Sequence, residues 1–186
     1  GYTLKGNWFD VGTPQNYLEA MKKLLHGGSS MLTDFGGRIS EKQKIWIQGE
    51  SSDAEQKRKE IIQKIRKGLI EIEGAVLIGR HCQIDDGVKI ANSCIDNYTK
   101  IGKGAVIENS AVLDRVIIGE KAEIRDSIIG RHATVNSSSR KPTRITAVSV
   151  IADDVVIEEG CSLTATKIYP HQRIRGEFEN QILMTT

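Results

Sequence analysis

An aliphatic residue recurs about every six positions between residues 72 and 168, and this spacing constrains the fold more than any other feature. An amphipathic helix would instead repeat its apolar residues every 3.6 positions. Short fixed periods predict a solenoid of parallel β-strands, in which each coil buries its face against the next. The register positions are Ile72, Ile78, Ile84, Ile90, Ile95, Ile101, Ile107, Leu113, Ile118, Ile124, Ile129, Val135, Ile145, Ile151, Ile157 and Leu163.

Small or apolar residues fill a second slot, four positions after most of these register residues. Three units of this kind complete one coil, so the sixteen register positions predict about five coils. With parallel strands about 4.8 Å apart, the column is about 25 Å long. The slot residues are Val76, Cys82, Val88, Cys94, Thr99, Ala105, Ala111, Ala122, Ala133, Ser149, Val155 and Cys161.

The three cysteines, Cys82, Cys94 and Cys161, all fall in this second slot and show no metal-ligand spacing. We expect them to pack as small hydrophobic residues.

Two helices are predicted before the repeat. Thr13 and Pro14 suit the N-cap and first position of a helix that ends near Gly27 and Gly28. We predict a short strand and a turn at residues 1–12. Residues 29–52 are predicted to form a connecting segment that contains a short strand at 45–47. A second helix is expected from about 53 to 67, with Ser52 and Glu55 at capping-box spacing.

Two segments depart from the regular repeat. The ten-residue step after Val135 leaves residues 136–144, NSSSRKPTR, as a polar and basic loop. It is either a solvated excursion or a contact for a neighbouring subunit or an anionic ligand. After Leu163 the repeat fades, and residues 169–186 are predicted to cap the open strand edges.

Composition excludes several function classes. Lys and Arg total 26 against 24 for Asp and Glu, without the clustered basic excess typical of nucleic-acid binders. No apolar run has membrane-spanning length, and residues 1–20 do not have the pattern of a signal peptide. We therefore predict a cytoplasmic location, with neither nucleic-acid nor membrane partners. The chain begins Gly1-Tyr2 without an initiating Met, and we expect it to be the C-terminal part of a longer protein.

Two parts of the sequence together resemble a known family. GNWFDVGTPQNYLEA at residues 6–20 is similar to the Trp-x-Asp-x-Gly-Thr-Pro segment that closes the catalytic domain of sugar-phosphate nucleotidyltransferases. The hexapeptide array resembles the left-handed β-helix that follows this domain in archaeal-type mannose-1-phosphate guanylyltransferases and glucose-1-phosphate thymidylyltransferases. This implies four regions: a catalytic-domain remnant and linker at 1–52, a connecting helix at 53–71, the β-helix at 72–168 and a cap at 169–186.

The resemblance also implies a reaction and one site residue. These enzymes join a nucleoside triphosphate to a sugar 1-phosphate and release pyrophosphate. Asp10 matches a family magnesium ligand, and Mg²⁺ commonly binds one or two carboxylates plus substrate phosphates. The family's phosphate loop and catalytic basic residues are absent from this chain. We therefore expect Mg²⁺ in the intact parent but no catalytic or cofactor-binding residue here, with Asp10 serving as a turn or helix-capping acid.

Three functions remain open from the sequence. The first is a non-catalytic assembly and regulatory region that forms homo-oligomers through the flat faces of the column and adjoins the missing catalytic domain. The second is a hexapeptide acyltransferase using acyl-CoA, with His81 or His132 as general base, although both should point outward. The third, a zinc enzyme of the carbonic anhydrase type, needs three converging histidines, and only His81 and His132 lie in the array, with His171 in the tail.

Overall fold

The computed structural model describes residues 8–27, 38–39, 44–50 and 53–184 of the chain. It contains helix α1 (Pro14–Gly27), strand β1 (Ile45–Ile47) and helix α2 (Glu55–Arg66), close to the predicted ranges. Residues 8–12 form no strand, and residues 1–7 lie outside the described part. The remaining strands are β2 (Ile70–Glu73), β3 (Val76–Ile78), β4 (Gln83–Ile84), β5 (Val88–Ala91), β6 (Cys94–Ile95), β7 (Lys100–Ile101), β8 (Val106–Glu108), β9 (Ala111–Val112), β10 (Ile117–Ile118), β11 (Glu123–Arg125), β12 (Ile128–Ile129), β13 (Thr134–Val135), β14 (Arg144–Thr146), β15 (Val150–Ile151), β16 (Val156–Ile157), β17 (Ser162–Thr164), β18 (Lys167–Ile168), β19 (Arg173–Ile174), β20 (Glu177–Glu179) and β21 (Ile182–Leu183).

Each coil of the chain contributes one strand to each of three parallel sheets. Sheet A has the order β1-β3-β6-β9-β12-β15-β18-β21, sheet B β2-β5-β8-β11-β14-β17-β20 and sheet C β4-β7-β10-β13-β16-β19. The fold is a left-handed parallel β-helix of about seven coils, which confirms the predicted fold class. The chain passes from sheet B to sheet A, then to sheet C and back to sheet B.

The register residues face inward and stack in rows. In sheet B, Ile90, Ile107 and Ile124 are direct partners on neighbouring strands, and each is fully buried. Each buried aliphatic side chain of this size contributes about 1.5–3 kcal/mol relative to an exposed one. The stacked rows are therefore the main source of stability, as the periodicity predicts.

The prediction of five coils is too low, because the repeat continues through the segment expected to be a cap. Ile168 and Ile174 are buried register residues, and Phe178 and Leu183 pair with the strands before them. Strands β18 to β21 thus extend the sheets to residue 183. The step from Ile174 to Phe178 is only four residues, which hides the six-residue period in the sequence.

The predicted register is wrong at one inward position. Val112, not Leu113, pairs with Ile95 and Ile129 inside the column, and Val112 is 1% exposed. The corner from sheet B to sheet A usually spans five residues instead of six. Leu113 is consequently only half-buried.

The same short corner moves two residues out of the predicted small-residue slot. Cys94 and Ala111 each precede an inward residue by one position and so face away from the core. Fully buried Ser93 and Ser110 occupy the inward slot in their place.

Helix α2 covers the N-terminal end of the column. Ile61 is buried against the core, and Arg58 Nε donates to the Ile47 carbonyl oxygen at 2.8 Å. Lys64 Nζ donates to the Ile84 carbonyl oxygen, also at 2.8 Å. Strand-end carbonyls thus receive side-chain donors and are protected from pairing with another chain. The predicted capping box is wrong, because this helix has Ala54 as its N-cap residue, without a side-chain cap, and Glu55 instead pairs with Lys59 at 2.8 Å. Ser52 itself lies outside the described residues.

A row of buried hydroxyl groups joins successive coils at the corner between sheets B and A. Ser110 Oγ donates to the Glu108 carbonyl oxygen at 2.7 Å and accepts from the backbone N–H of Ser127 at 3.1 Å. Ser93 Oγ accepts from the N–H of Ser110 at 3.0 Å in the same way. Each hydroxyl therefore satisfies a backbone amide that the tight corner leaves without a carbonyl partner.

We expect Ser110→Ala to destabilise the fold by about 1–3 kcal/mol, because it leaves the buried Ser127 N–H without an acceptor. Urea unfolding followed by circular dichroism measures this change. Ser162→Ala is the matched control, since Ser162 lies in β17 on the outer side of sheet B, where water is available. Equal unfolding midpoints for the two variants would contradict the role assigned to the buried hydroxyl.

Candidate functional site

Helix α1 lies on the outer face of sheet A. The outward positions on the first five strands of this sheet are apolar, which is unusual for a face expected to meet water. Leu18, Met21 and Leu25 of α1 pack against this row and are 4%, 9% and 2% exposed. The outward row consists of Trp46, Leu77, Cys94, Ala111 and Ile128.

Polar contacts fix α1 to the corner between sheets B and A. Helix α1 begins at the predicted position, where Thr13 acts as the N-cap: its Oγ1 accepts a hydrogen bond from the N–H of Asn16 at 3.2 Å. Further along, Lys22 Nζ lies 3.5 Å from Asp126 Oδ1, and His26 Nε2 lies 2.8 Å from Asn92 Oδ1. Sequence reasoning assigned no role to His26 and could not place α1 on a particular sheet.

A groove of about 700 Å³ runs between α1 and the corner that leads from sheet A to sheet C. Tyr17, Glu50 and Arg80 line it, together with Asp96 and Asn97. Asn97 Nδ2 donates to Asp96 Oδ1 at 2.7 Å, and the N–H of Arg80 donates to Asn97 Oδ1 at 2.8 Å. Burial, and then the nearby negative charge, raises the pKa of the Tyr17 hydroxyl. The groove is polar at the corner and apolar along the helix.

The three cysteines do not have the environment of nucleophiles. Burial, followed by the charge of Asp96, raises the pKa of Cys94 to about 12. Burial is also the main reason that the pKa of Cys82 is raised to about 12 and that of Cys161 is raised. A thiol with a raised pKa remains protonated and unreactive near neutral pH.

Asp10 lies just before α1 and is exposed. Its Oδ1 accepts from the N–H of Gly12 at 3.0 Å, the turn-forming contact expected of an acid at this position. Within the described ranges, no three His, Cys, Asp or Glu side chains are grouped so that they could hold a metal ion. Asp10 could supply one carboxylate to Mg²⁺ bound by other groups, and that role in an intact enzyme stays a prediction.

The histidines of the array lie at the corner between sheets A and C and point outward, as predicted. His81 Nε2 lies 3.3 Å from Asp53 Oδ1, and its ring stacks on another side chain of the corner. His132 Nδ1 lies 3.4 Å from Asp154 Oδ1, and His171 Nδ1 lies 3.8 Å from Asp154 Oδ2. At this corner between sheets A and C, one residue of each coil has a positive φ angle, in the left-handed region. These residues are His81, Tyr98, Arg115, His132, Asp154 and His171.

Loop 136–144 is folded back onto the column. Thr143 is fully buried, and its Oγ1 accepts from the N–H of Gly160 at 3.0 Å. Lys141 Nζ lies 3.7 Å from Glu159 Oε1 on the next coil. The loop is therefore anchored by its own side chains and is more than a solvated excursion.

Residues 72–183 match the family model described as the GMPPB C-terminal domain. No curated protein is significantly similar to the chain in sequence. Neither described helix is long and apolar enough to cross a membrane.

Solved structures of hexapeptide-type proteins are similar to the chain. A hexapeptide transferase family protein from Anaplasma phagocytophilum is 19% identical, with 61% of this chain and 71% of that chain covered and a TM-score of 0.41. The acetyltransferase domain of PglB from Neisseria gonorrhoeae, in complex with acetyl coenzyme A, is 11% identical. The match covers 67% of this chain and 60% of that chain, with a TM-score of 0.47. PerB from Caulobacter crescentus, in complex with CoA and GDP-perosamine, is 14% identical. The match covers 68% of this chain and 63% of that chain, with a TM-score of 0.39. At TM-scores below 0.5, these similarities do not indicate what this chain binds or catalyses.

Proposed function

Because the chain belongs to the GMPPB C-terminal domain family, the hexapeptide-type β-helix of nucleotidyltransferases, we propose that it is the C-terminal region of a sugar-1-phosphate nucleotidyltransferase. The proposed parent joins a nucleoside triphosphate to a sugar 1-phosphate, as a mannose-1-phosphate guanylyltransferase does, and releases pyrophosphate. In this proposal the β-helix serves assembly and regulation and does not itself catalyse the reaction.

The docking of α1 on sheet A supports this role. The segment at residues 8–13 that resembles the end of a nucleotidyltransferase catalytic domain leads directly into α1. The apolar face of α1 is buried against the outward row of sheet A. A catalytic domain that precedes this segment would thus be attached to the side of a rigid column and not to its end.

The three outer faces of the column differ in what they can bind. Sheet A is covered by α1 over its first coils. Sheet B carries ion pairs between coils: Lys89 lies 3.4 Å from Glu71 and 3.1 Å from Glu73, and Arg144 lies 3.6 Å from Glu123. The hydrogen bonds that the Lys89 ammonium donates to Glu73 and Glu71 raise its pKa. Such a charged and hydrated face is costly to bury in an interface.

Sheet C carries the face that we propose for self-association. Ile117, Thr134 and Val156 are direct partners on three successive strands, and all point outward. Ile117 is 46% exposed although it is one of the larger apolar side chains. This uncharged stretch of three positions lies between Lys100 and Arg173 on the flanking strands. A flat row of this kind fits a second copy of itself in a symmetric dimer or trimer.

We expect the wild-type protein to sediment as a dimer or trimer at micromolar concentration, and Ile117→Glu to sediment as a monomer. Burying a carboxylate at the centre of the interface costs several kcal/mol in desolvation, and Lys100 on the neighbouring strand offsets only part of this cost. The association constant should therefore fall by at least about tenfold. Sedimentation velocity measures both states. Val106→Glu is the matched control, because Val106 is an outward strand residue of sheet B, and it should leave the oligomer intact.

A wild-type protein that remains strictly monomeric at these concentrations would overturn the assembly proposal. Loss of the oligomer in Val106→Glu with retention in Ile117→Glu would instead move the interface to sheet B.

A further inference from the structure

A second concave surface, of about 480 Å³, lies where α2 and the corner between sheets A and C meet the outer face of sheet C. Its volume is within the range of small-molecule sites. Three of its lining residues are cationic, namely Lys57, Lys100 and Arg115, and none of its lining residues is a carboxylate. It differs in this from the groove beside α1, where Glu50 and Asp96 are part of the lining.

One wall of this cationic cavity is a stack of side chains from three successive coils. The Tyr98 ring lies parallel to the His81 ring, with centroids 4.7 Å apart and an interplanar angle of 9°. The Arg115 guanidinium lies over the Tyr98 ring, with Cζ 5.0 Å from its centroid. Stacking on both faces of Tyr98 holds Arg115 against the wall and reduces the entropy lost when it binds a ligand.

The carboxylates that accompany these cations lie outside the cavity lining. Lys57 pairs with Glu60 at 3.0 Å on α2, and Arg115 pairs with Asp114. Such exposed pairs are weak and leave their cations able to bind a stronger anion. Within the described part of the chain, the Lys100 ammonium has no hydrogen-bond or ion-pair partner. Positive charge therefore collects in this cavity and is only partly neutralised, by carboxylates that lie outside its lining.

We propose that the cationic cavity binds an anion carrying two or more linked phosphate groups, the chemistry shared by inorganic pyrophosphate and nucleoside diphosphates. Guanidinium and ammonium groups form strong charge-assisted hydrogen bonds to phosphate oxygens. Three cations, from α2, from β7 and from the corner between sheets A and C, match a ligand with several negative charges better than a single carboxylate. The inference goes beyond the proposed assembly role. Ile117, the centre of the proposed interface, also lines this cavity, so the ligand would lie at the edge of that interface. Binding itself needs only one copy of the chain.

Isothermal titration calorimetry of the whole chain at about 50 mM salt tests the proposal, with inorganic pyrophosphate, GDP and inorganic phosphate as separate probes. Pyrophosphate is expected to bind at one saturable site and more tightly than phosphate. Lys57→Ala and Lys100→Ala should each weaken pyrophosphate binding by about tenfold, the effect of losing one charge-assisted hydrogen bond. Binding should also weaken as salt is raised, because the contacts are exposed to solvent.

Two variants with the same loss of charge serve as controls. Lys59→Ala removes a second α2 lysine that also has a glutamate partner, and Lys103→Ala removes an exposed lysine from another corner. Both variants should bind pyrophosphate with a dissociation constant within about twofold of the wild-type value. A charge that lies outside the cavity is screened by salt and acts only weakly on the ligand. Unfolding midpoints equal to wild type would show that each variant is folded.

GDP binding at the same site, whether equal to pyrophosphate or tighter, supports recognition through linked phosphates. The proposal is overturned if neither pyrophosphate nor GDP binds saturably at millimolar concentration. It is equally overturned if orthophosphate binds as tightly as pyrophosphate, or if the Lys59 and Lys103 variants lose as much affinity as the Lys57 and Lys100 variants. Sedimentation of the same variants separates this result from a failure of self-association.

Discussion

Ile124→Ala is expected to lower the free energy of unfolding by about 2–5 kcal/mol, the range for emptying a well-packed aliphatic site. Ile124 is fully buried in β11 and is stacked between Ile107 on one side and Ile145 on the other. Its neighbours belong to a continuous ladder of parallel strands, which limits how far they can relax into the cavity. Urea denaturation followed by circular dichroism measures the change.

Glu123→Ala provides the control for this core substitution. Glu123 adjoins Ile124 on the same strand, but it faces outward and forms only a 3.6 Å pair with Arg144. An exposed pair of this kind contributes at most about 1 kcal/mol. If both variants unfolded at the same urea concentration, the inward stacking of the register residues would not be what stabilises the column.

Gly130→Ala is expected to destabilise the protein by about 3 kcal/mol or more, at the upper end of overpacking effects. Gly130 begins the corner between sheets A and C, and a Cβ atom there would lie 2.5 Å from the Ala152 carbonyl carbon. The same Cβ would lie 2.7 Å from the Asp153 backbone nitrogen. Its φ angle is not in the left-handed region, so the cost is steric and arises from stacking one corner directly on the next.

Gly27→Ala is the matched comparison for Gly130→Ala. Outside the backbone of α1 itself, a Cβ at Gly27 would have no atom of the described residues within 4 Å, and Gly27 ends α1 without a positive φ. Alanine there should be neutral or stabilising by up to about 1 kcal/mol. Thermal unfolding of Gly130→Ala and Gly27→Ala tests whether the stacked corners resist an added Cβ atom. Similar melting temperatures would mean that the corners of adjacent coils can move apart at little cost.

The inward rows of the β-helix were predictable because burial on the inner face of a strand selects Ile, Leu and Val at fixed spacing. The exceptions arise at corners, where backbone geometry and not side-chain chemistry decides how many residues fit. Val112 and Leu113 are both aliphatic, so no hydrophobicity pattern distinguishes them, and only the five-residue corner places Val112 inside. The four-residue step to Phe178 concealed the last coils for the same reason.

The candidate sites were less predictable, since they depend on which side chains different elements bring together. The sequence does contain a signal for the outward row beneath α1, which the six-residue period alone does not show. Trp46, Leu77 and Ala111 are apolar although they lie on the side of the strand that normally meets water. Nothing local in the sequence relates Lys57 of α2 to Lys100 of β7. Their proximity follows only from the way α2 folds over the end of the column.

The spacing between stacked residues determines how a chain of this kind can change in length. Bonds between equivalent positions, such as Ser110 with Ser93 and Ser127 with Ser110, span 17 residues. At the corner between sheets A and C, the bond from the Arg80 N–H to Asn97 also spans 17 residues. The equivalent bond from the Arg131 N–H to Asp153 crosses the enlarged loop 136–144 and spans 22. Duplication or loss of a whole coil would preserve inside and outside for every later strand, whereas a single-residue deletion within a strand would exchange them up to the next corner. Genetic variation in the height of the column therefore favours whole-coil increments, while a corner can accept an insert such as loop 136–144 without disturbing the coils that follow.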